Sequence, residues 1–182
     1  GGLCLLDLRD LSGPPRAVVM PRADAGSGSR GYAMEPGQGH AGRVAAVAWL
    51  PEDDRLFVSA GDTCLKVWDS ASPEKCVTSV KVFSRVHAAA LTEGPPATAG
   101  VALSDNTIRL VDLRIGRSTN TMQGHTQPPL CLAWGAPGSH RLFSGAMDGT
   151  LRAWDARMGA RSSYLFDAYG DEEGSPALKK IE

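Results

Sequence analysis

Three aspartates, Asp69, Asp112 and Asp155, stand at equal intervals of 43 residues, and each closes a pentad of the same design. Leu65–Asp69 reads LKVWD, Ile108–Asp112 reads IRLVD and Leu151–Asp155 reads LRAWD: apolar, basic, apolar, Trp or Val, Asp. A weaker copy, LCLLD, occupies Leu3–Asp7. In an extended pentad successive side chains fall on opposite faces, so each copy reads as a strand. A unit repeated at this period is one supersecondary element that cannot bury its apolar faces alone and must stack against copies of itself. That requirement constrains the fold more than composition does.

The unit is plainest between Gly124 and Asp155. Leu130–Trp134 (LCLAW) lies between two prolines and Gly-Ala-Pro-Gly, and Leu142–Ala146 (LFSGA) ends at Met147-Asp148-Gly149, a hairpin signal. The third strand follows, with Leu151 and Ala153 on one face and Arg152 and Trp154 on the other. Gly124-His125 opens the unit and Trp154-Asp155 closes it, as Gly39-His40 and Trp68-Asp69 do one repeat earlier. With this GH…WD frame, the stretch from about residue 36 to 166 resembles WD-repeat β-propellers. The resemblance implies an all-β WD40 propeller, of which the chain holds about 3.5–4 blades of an expected seven.

The expected layout is the end of a first blade and a Gly/Ser/Pro-rich insert at 1–38, then blades at 39–83, 84–122 and 123–166, then a polar tail at 167–182. In the first blade Leu3–Leu8 is a third strand and Ala17–Met20 a fourth. The insert, with GSGSRG at Gly26–Gly31, is expected to be a tolerated surface loop. The blade at 84–122 is degenerate: Ser84-Arg85-Val86-His87 stands where a GH pair belongs, and its WD is Val111-Asp112. The chain is expected to be an internal piece of a longer propeller.

Charge and cysteines exclude several classes. Nineteen basic against twenty acidic residues give a net charge of −1, which provides no electrostatic footprint for direct nucleic-acid binding. No apolar run reaches membrane-spanning length. Cys4, Cys64, Cys76 and Cys131 stand singly without CxxC spacing, so neither a zinc site nor a redox pair is expected. They read as small buried hydrophobes in a reducing compartment. No cofactor, metal or small-molecule substrate is expected.

In WD-repeat proteins a buried hydrogen-bond chain links a turn Asp, the GH His, a strand Ser or Thr and the WD Trp. The resemblance places that chain on Asp148, His125, Ser144 and Trp154. In the preceding blade Asp62, His40 and Trp68 match, but the same count puts Val58 at the serine position with Ser59 one step away. In the degenerate blade only Asp105 remains. The Ser-His-Asp set imitates a catalytic triad, yet it recurs with the repeat, whereas a nucleophile has to face a cleft. The chain is therefore not expected to be an enzyme. His140, on a loop, is expected to be solvated.

Beyond the closing Asp, three repeats carry an arginine two residues on: Arg157 after Trp154-Asp155, Arg114 after Asp112 and Arg9 after Asp7. This D-x-R resembles the WDxR motif of substrate receptors of cullin-4 ubiquitin ligases, in which the Arg lies on the face that docks a β-propeller adaptor. The equally weighted alternative is a solvated strand-end arginine paired with its Asp. The order and spacing of the blades, including the missing GH pair, also resemble receptors of this group that act in transcription-coupled nucleotide excision repair. The resemblance implies a nuclear, non-enzymatic receptor with protein partners, namely the adaptor and repair factors, and adaptor-binding candidates Trp154, Asp155, Arg157 and Arg114. The alternative is a generic WD-repeat interaction scaffold in RNA processing or chromatin.

Overall fold

The computed structural model describes residues 39–158 except 52, 74 and 94–96, together with the strands at 163–166 and 178–180. The first-blade strands, the Gly/Ser insert and Arg9 lie outside the described residues. Each of the three described repeats forms an antiparallel sheet. In the 39–83 repeat, the second blade, β1 (Val44–Leu50), β2 (Asp53–Gly61), β3 (Cys64–Asp69) and β4 (Cys76–Lys81) pair in sequence order. The third blade does the same with β5 (Val86–Leu91), β6 (Thr98–Leu103), β7 (Ile108–Asp112) and β8 (Arg117–Met122). The fourth contains β9 (Pro129–Trp134), β10 (Arg141–Ala146), β11 (Leu151–Asp155) and β12 (Ser163–Phe166). A fifth strand, β13 (Leu178–Lys180), pairs antiparallel with β12. The 167–182 segment, expected to be a polar tail, thus contributes a strand. An outermost strand presents unpaired N–H and C=O groups that any extended segment within reach can satisfy.

The first strands of successive blades are neighbours, with β5 lying between β1 and β9, so the sheets fan out from a common inner side. Two apolar layers fill the spaces between them. Val58, Leu65, Val67 and Val80 of the second blade meet Val101, Leu103 and Val111 of the third. Ile108, Leu110 and Met122 of the third meet Leu142 and Trp154 of the fourth. Strands β3 and β6 are therefore buried along most of their length, which suits the nearly continuous apolar sequence of β6, whereas β3 also buries Lys66. Gly100 on β6 leaves the room this packing uses: a Cβ there would come within 3.1 Å of the Leu142 side chain. The hairpin turn between β10 and β11 follows its sequence signal. At Asp148-Gly149 the glycine takes φ of +77°, a left-handed conformation that costs glycine nothing.

Candidate functional site

Two hydrogen-bonded side-chain chains run through the blades toward the turns joining second and third strands. In the fourth blade Trp154 Nε1 donates to Ser144 Oγ at 2.8 Å, Ser144 Oγ lies 2.7 Å from His125 Nε2, and His125 Nδ1 lies 3.1 Å from Asp148 Oδ2. The carboxylate only accepts, so Nδ1 carries the imidazole proton and Nε2 accepts the serine hydroxyl hydrogen. Every proton in the chain is thereby assigned. Asp148 also accepts from the Thr126 N–H at 2.9 Å, the Thr150 N–H at 3.0 Å and the Thr150 hydroxyl at 2.7 Å. Burial opposes its ionisation, but these donors outweigh burial and hold the carboxyl well below the usual carboxylate range. Burial pushes His125 down against the pull of Asp148, which keeps the ring neutral. Ser144 is 2% exposed and its oxygen is bracketed by indole and imidazole, so it has no nucleophile's access to substrate.

The second blade builds the same chain, and its serine is Ser59. Trp68 Nε1 donates to Ser59 Oγ at 2.7 Å, and His40 Nε2 lies 2.8 Å from the same oxygen. Counting back from the tryptophan pointed to Val58, and strand register corrects that reading. Ser59 pairs with Lys66 as Ser144 pairs with Arg152, across a turn one residue shorter. The far end is looser: His40 Nδ1 stands 3.8 Å from Asp62, and Cys64 takes the place of Thr150 with its thiol 3.7 Å from Nδ1. In the third blade Val101 and Val111 occupy the serine and tryptophan positions inside the apolar layer. Asp105 there caps its own turn through the Thr107 N–H and hydroxyl.

The basic residue of each pentad is a structural feature that reasoning about motifs missed. Lys66 Nζ reaches the Gly39 carbonyl at 2.9 Å, and Arg109 Nη1 reaches the Val82 carbonyl at 2.7 Å. Arg152 occupies the corresponding place, and a Cβ on Gly124 would lie 2.5 Å from its Nη1. The glycine of the GH pair thus lies directly under the guanidinium, which a side chain at 124 would have to displace. The signal was the pentad itself, whose second position is basic in all three copies spaced 43 residues apart.

The four cysteines divide differently from expectation. Cys64 and Cys76 are half-buried, and burial pushes both thiols up, whereas Cys131 is exposed, its sulfur resting against Gly145. It points to the side of β9 away from the third blade, so the buried-hydrophobe reading fails for it. Cys4 is outside the described residues. Among the described residues no His, Cys, Asp or Glu group is arranged to hold a metal ion.

At the opposite end of the blades the closing aspartates each accept the backbone N–H two residues on: Ala71 to Asp69 at 2.8 Å, Arg114 to Asp112 at 2.8 Å and Arg157 to Asp155 at 3.0 Å. This is the Asx-turn that Asp favours. Only Arg157 adds a two-pronged side-chain pair, Nε to Oδ1 at 3.1 Å and Nη2 to Oδ2 at 2.8 Å. The guanidinium and backbone N–H of Arg157 pull the Asp155 carboxyl down to about 2. Arg114 stands 3.9 Å from Asp112. Both arginine side chains are about two-thirds exposed, at 65% and 68%. Trp154, by contrast, is buried and faces the third blade, so it braces this surface from behind without contributing to it. His140 is exposed on the same end, in the left-handed conformation at φ +53°.

Residues 35–69 and 116–155 match the family model "WD domain, G-beta repeat". Among curated proteins, the WD repeat-containing protein ATCSA-1 of Arabidopsis thaliana is 29% identical over 122 residues, covering 65% of this chain and 27% of that protein. The ribosome biogenesis protein YTM1 of Coprinopsis cinerea is 30% identical over 134 residues, covering 71% and 29%. The ribosome biogenesis protein WDR12 homolog of Culex quinquefasciatus is 25% identical over 178 residues, covering 92% and 39%. The chain thus spans less than two fifths of the length of each. Among solved structures, the RRP9 WD40 repeats superpose with a TM-score of 0.59 at 16% identity, over 70% of this chain and 46% of that one, a likeness of fold.

Proposed function

The chain belongs to the WD-repeat family, and on that premise we propose that it is a protein-interaction scaffold whose docking surface includes the strand-end face at Asp155–Arg157. The observation that carries the reading is the exposed guanidinium of Arg157, held by two side-chain bonds at the end of a strand braced by the Trp154–Ser144–His125–Asp148 chain. A guanidinium fixed in one orientation loses little freedom when a partner engages it.

Two settings compete for this scaffold. The names of two relatives, both ribosome biogenesis proteins, support an assembly role in RNA processing. The D-x-R at Arg157 and Arg114, and the likeness of the blade sequence to the Cockayne syndrome group A protein, support a nuclear substrate receptor of a cullin-4 ubiquitin ligase in nucleotide excision repair. In that case Asp155, Arg157 and Arg114 meet the β-propeller adaptor, with Trp154 beneath them. Calorimetry of the full-length protein with the adaptor separates the two. For the receptor, Arg157→Ala weakens the complex by about tenfold or more, as losing an interface arginine does, and Arg114→Ala less. Wild-type protein that does not bind the adaptor, or an Arg157→Ala variant that binds it undiminished, leaves the assembly scaffold.

A further inference from the structure

Beside Arg157, a cavity of about 330 Å³ opens between the third and fourth blades, at the end where Asp112 and Asp155 close their strands. This is at the lower limit of ligand pockets, roughly 300–1,000 Å³. Its walls bring together Leu110 and Thr119 of the third blade with Trp134, Pro137 and Arg157 of the fourth. A small polar ligand would need convergent free donors or acceptors, and three of the polar groups around the cleft are already engaged. Trp134 Nε1 donates to the Ala90 carbonyl at 3.0 Å, the Thr119 hydroxyl donates to the Leu110 carbonyl at 3.3 Å, and Thr92 Oγ1 accepts the Thr98 N–H at 3.1 Å. The wall around Trp134, Leu110 and Pro137 is apolar, with charge at the mouth of the cleft. Asp155 occupies Nε and Nη2 of Arg157, which leaves the Nη1 edge of the fork for a second carboxylate.

We propose that this inter-blade cleft anchors a loop of a protein partner, taking one large apolar side chain against Trp134 and Leu110 with an Asp or Glu within two residues of it on the Nη1 edge of Arg157. The inference rests on the scaffold reading and deepens it by naming the chemistry of the partner segment. Charge complementarity fixes the orientation. Arg157 lies on one flank and the exposed Glu93 on the other, so the carboxylate enters on the fourth-blade side. The rim supports the same polarity, because Arg114, Arg117, Arg141 and Arg157 at these strand ends outnumber Glu93, Asp112 and Asp155. Apolar burial supplies the affinity, and the charge pair supplies register.

The test selects random dodecapeptides displayed on phage against the immobilised full-length protein, then measures the enriched peptides against three variants. Ala136→Trp and Thr119→Trp each put an indole into the cleft from an exposed position on a different wall, and circular dichroism establishes that they fold. Arg157→Ala removes the charge partner. The expected result is a shared apolar residue close to an Asp or Glu, with binding reduced about tenfold or more by either blocking variant and by Arg157→Ala. Enriched peptides that bind both blocked variants undiminished overturn the cleft and leave the scaffold reading standing with its site elsewhere. Selection of peptides lacking the acidic residue, or of none at all, also overturns the inference, and the scaffold then depends on the adaptor measurement.

Discussion

At the scale of single residues, the serines in the middle of the second and fourth blades decide whether a tryptophan N–H and a histidine are satisfied. Ser59 and Ser144 each accept an indole hydrogen and lie within 2.8 Å of an imidazole nitrogen, at nearly zero exposure. Ser59→Ala and Ser144→Ala therefore each leave two polar groups orphaned. Both should lower stability by about 1–3 kcal/mol per group in urea melts. A neutral Ser59→Ala would mean that the second blade does not depend on its chain. Protonation acts through the same residues. His40 and His125 are pushed below their ordinary value of 6.5, burial being the larger cause in each. A folded-state pKa below the unfolded one means that, as pH falls through 6.5, the unfolded chain takes up protons that the folded chain refuses. Stability should thus fall from pH 7 toward pH 5 and fall again below about pH 4, where Asp148 loses its charge in the unfolded chain first. Denaturant melts across that range check the sign; a chain equally stable at pH 5 and pH 7 would show the histidines to be ordinary.

At the scale of elements, the third blade is the instructive one, because it keeps the architecture without the polar chain. Val101 and Val111 put methyl groups where the neighbouring blades have a hydroxyl and an indole, and both are fully buried against the second blade. Val101→Ser restores the residue type of its neighbours but not its partners. It should cost about 2 kcal/mol or more, through an unpaired buried hydroxyl and lost packing, whereas Ser is required one blade earlier. Calorimetric melting measures this, and a stabilising Val101→Ser would contradict the packing described. Strand β8 (RSTNTM) shows a different limit on reading elements from sequence. It has one buried apolar residue, Met122, and little strand pattern, and it is a strand because the edge of β7 pairs with it. Strand β13 arises in the same way on the edge of β12.

At the scale of the whole molecule, the arrangement of blades converts a linear repeat into two chemically distinct ends. One end collects the Asp–His turns that hold the sheets together, and the other collects Arg114, Arg157 and the cleft beside Trp134. The sequence by itself determined the repeat and the strand identity of the pentads, and its resemblance to WD-repeat proteins pointed to the four members of the fourth-blade chain. The first two follow from local periodicity and hairpin chemistry, and the third from the positions that match the family's motif. Only the tertiary structure decided that Ser59 and not Val58 completes the second chain, since pairing with Lys66 sets register and a shortened turn breaks any count along the chain. It also decided that Lys66 and Arg109 reach backbone carbonyls 27 residues away, that Cys131 is exposed and that β8 and β13 exist. The cleft was likewise beyond the sequence. Its walls come from two blades whose contact depends on how the sheets stack, and stacking is a property of shape that no single repeat encodes.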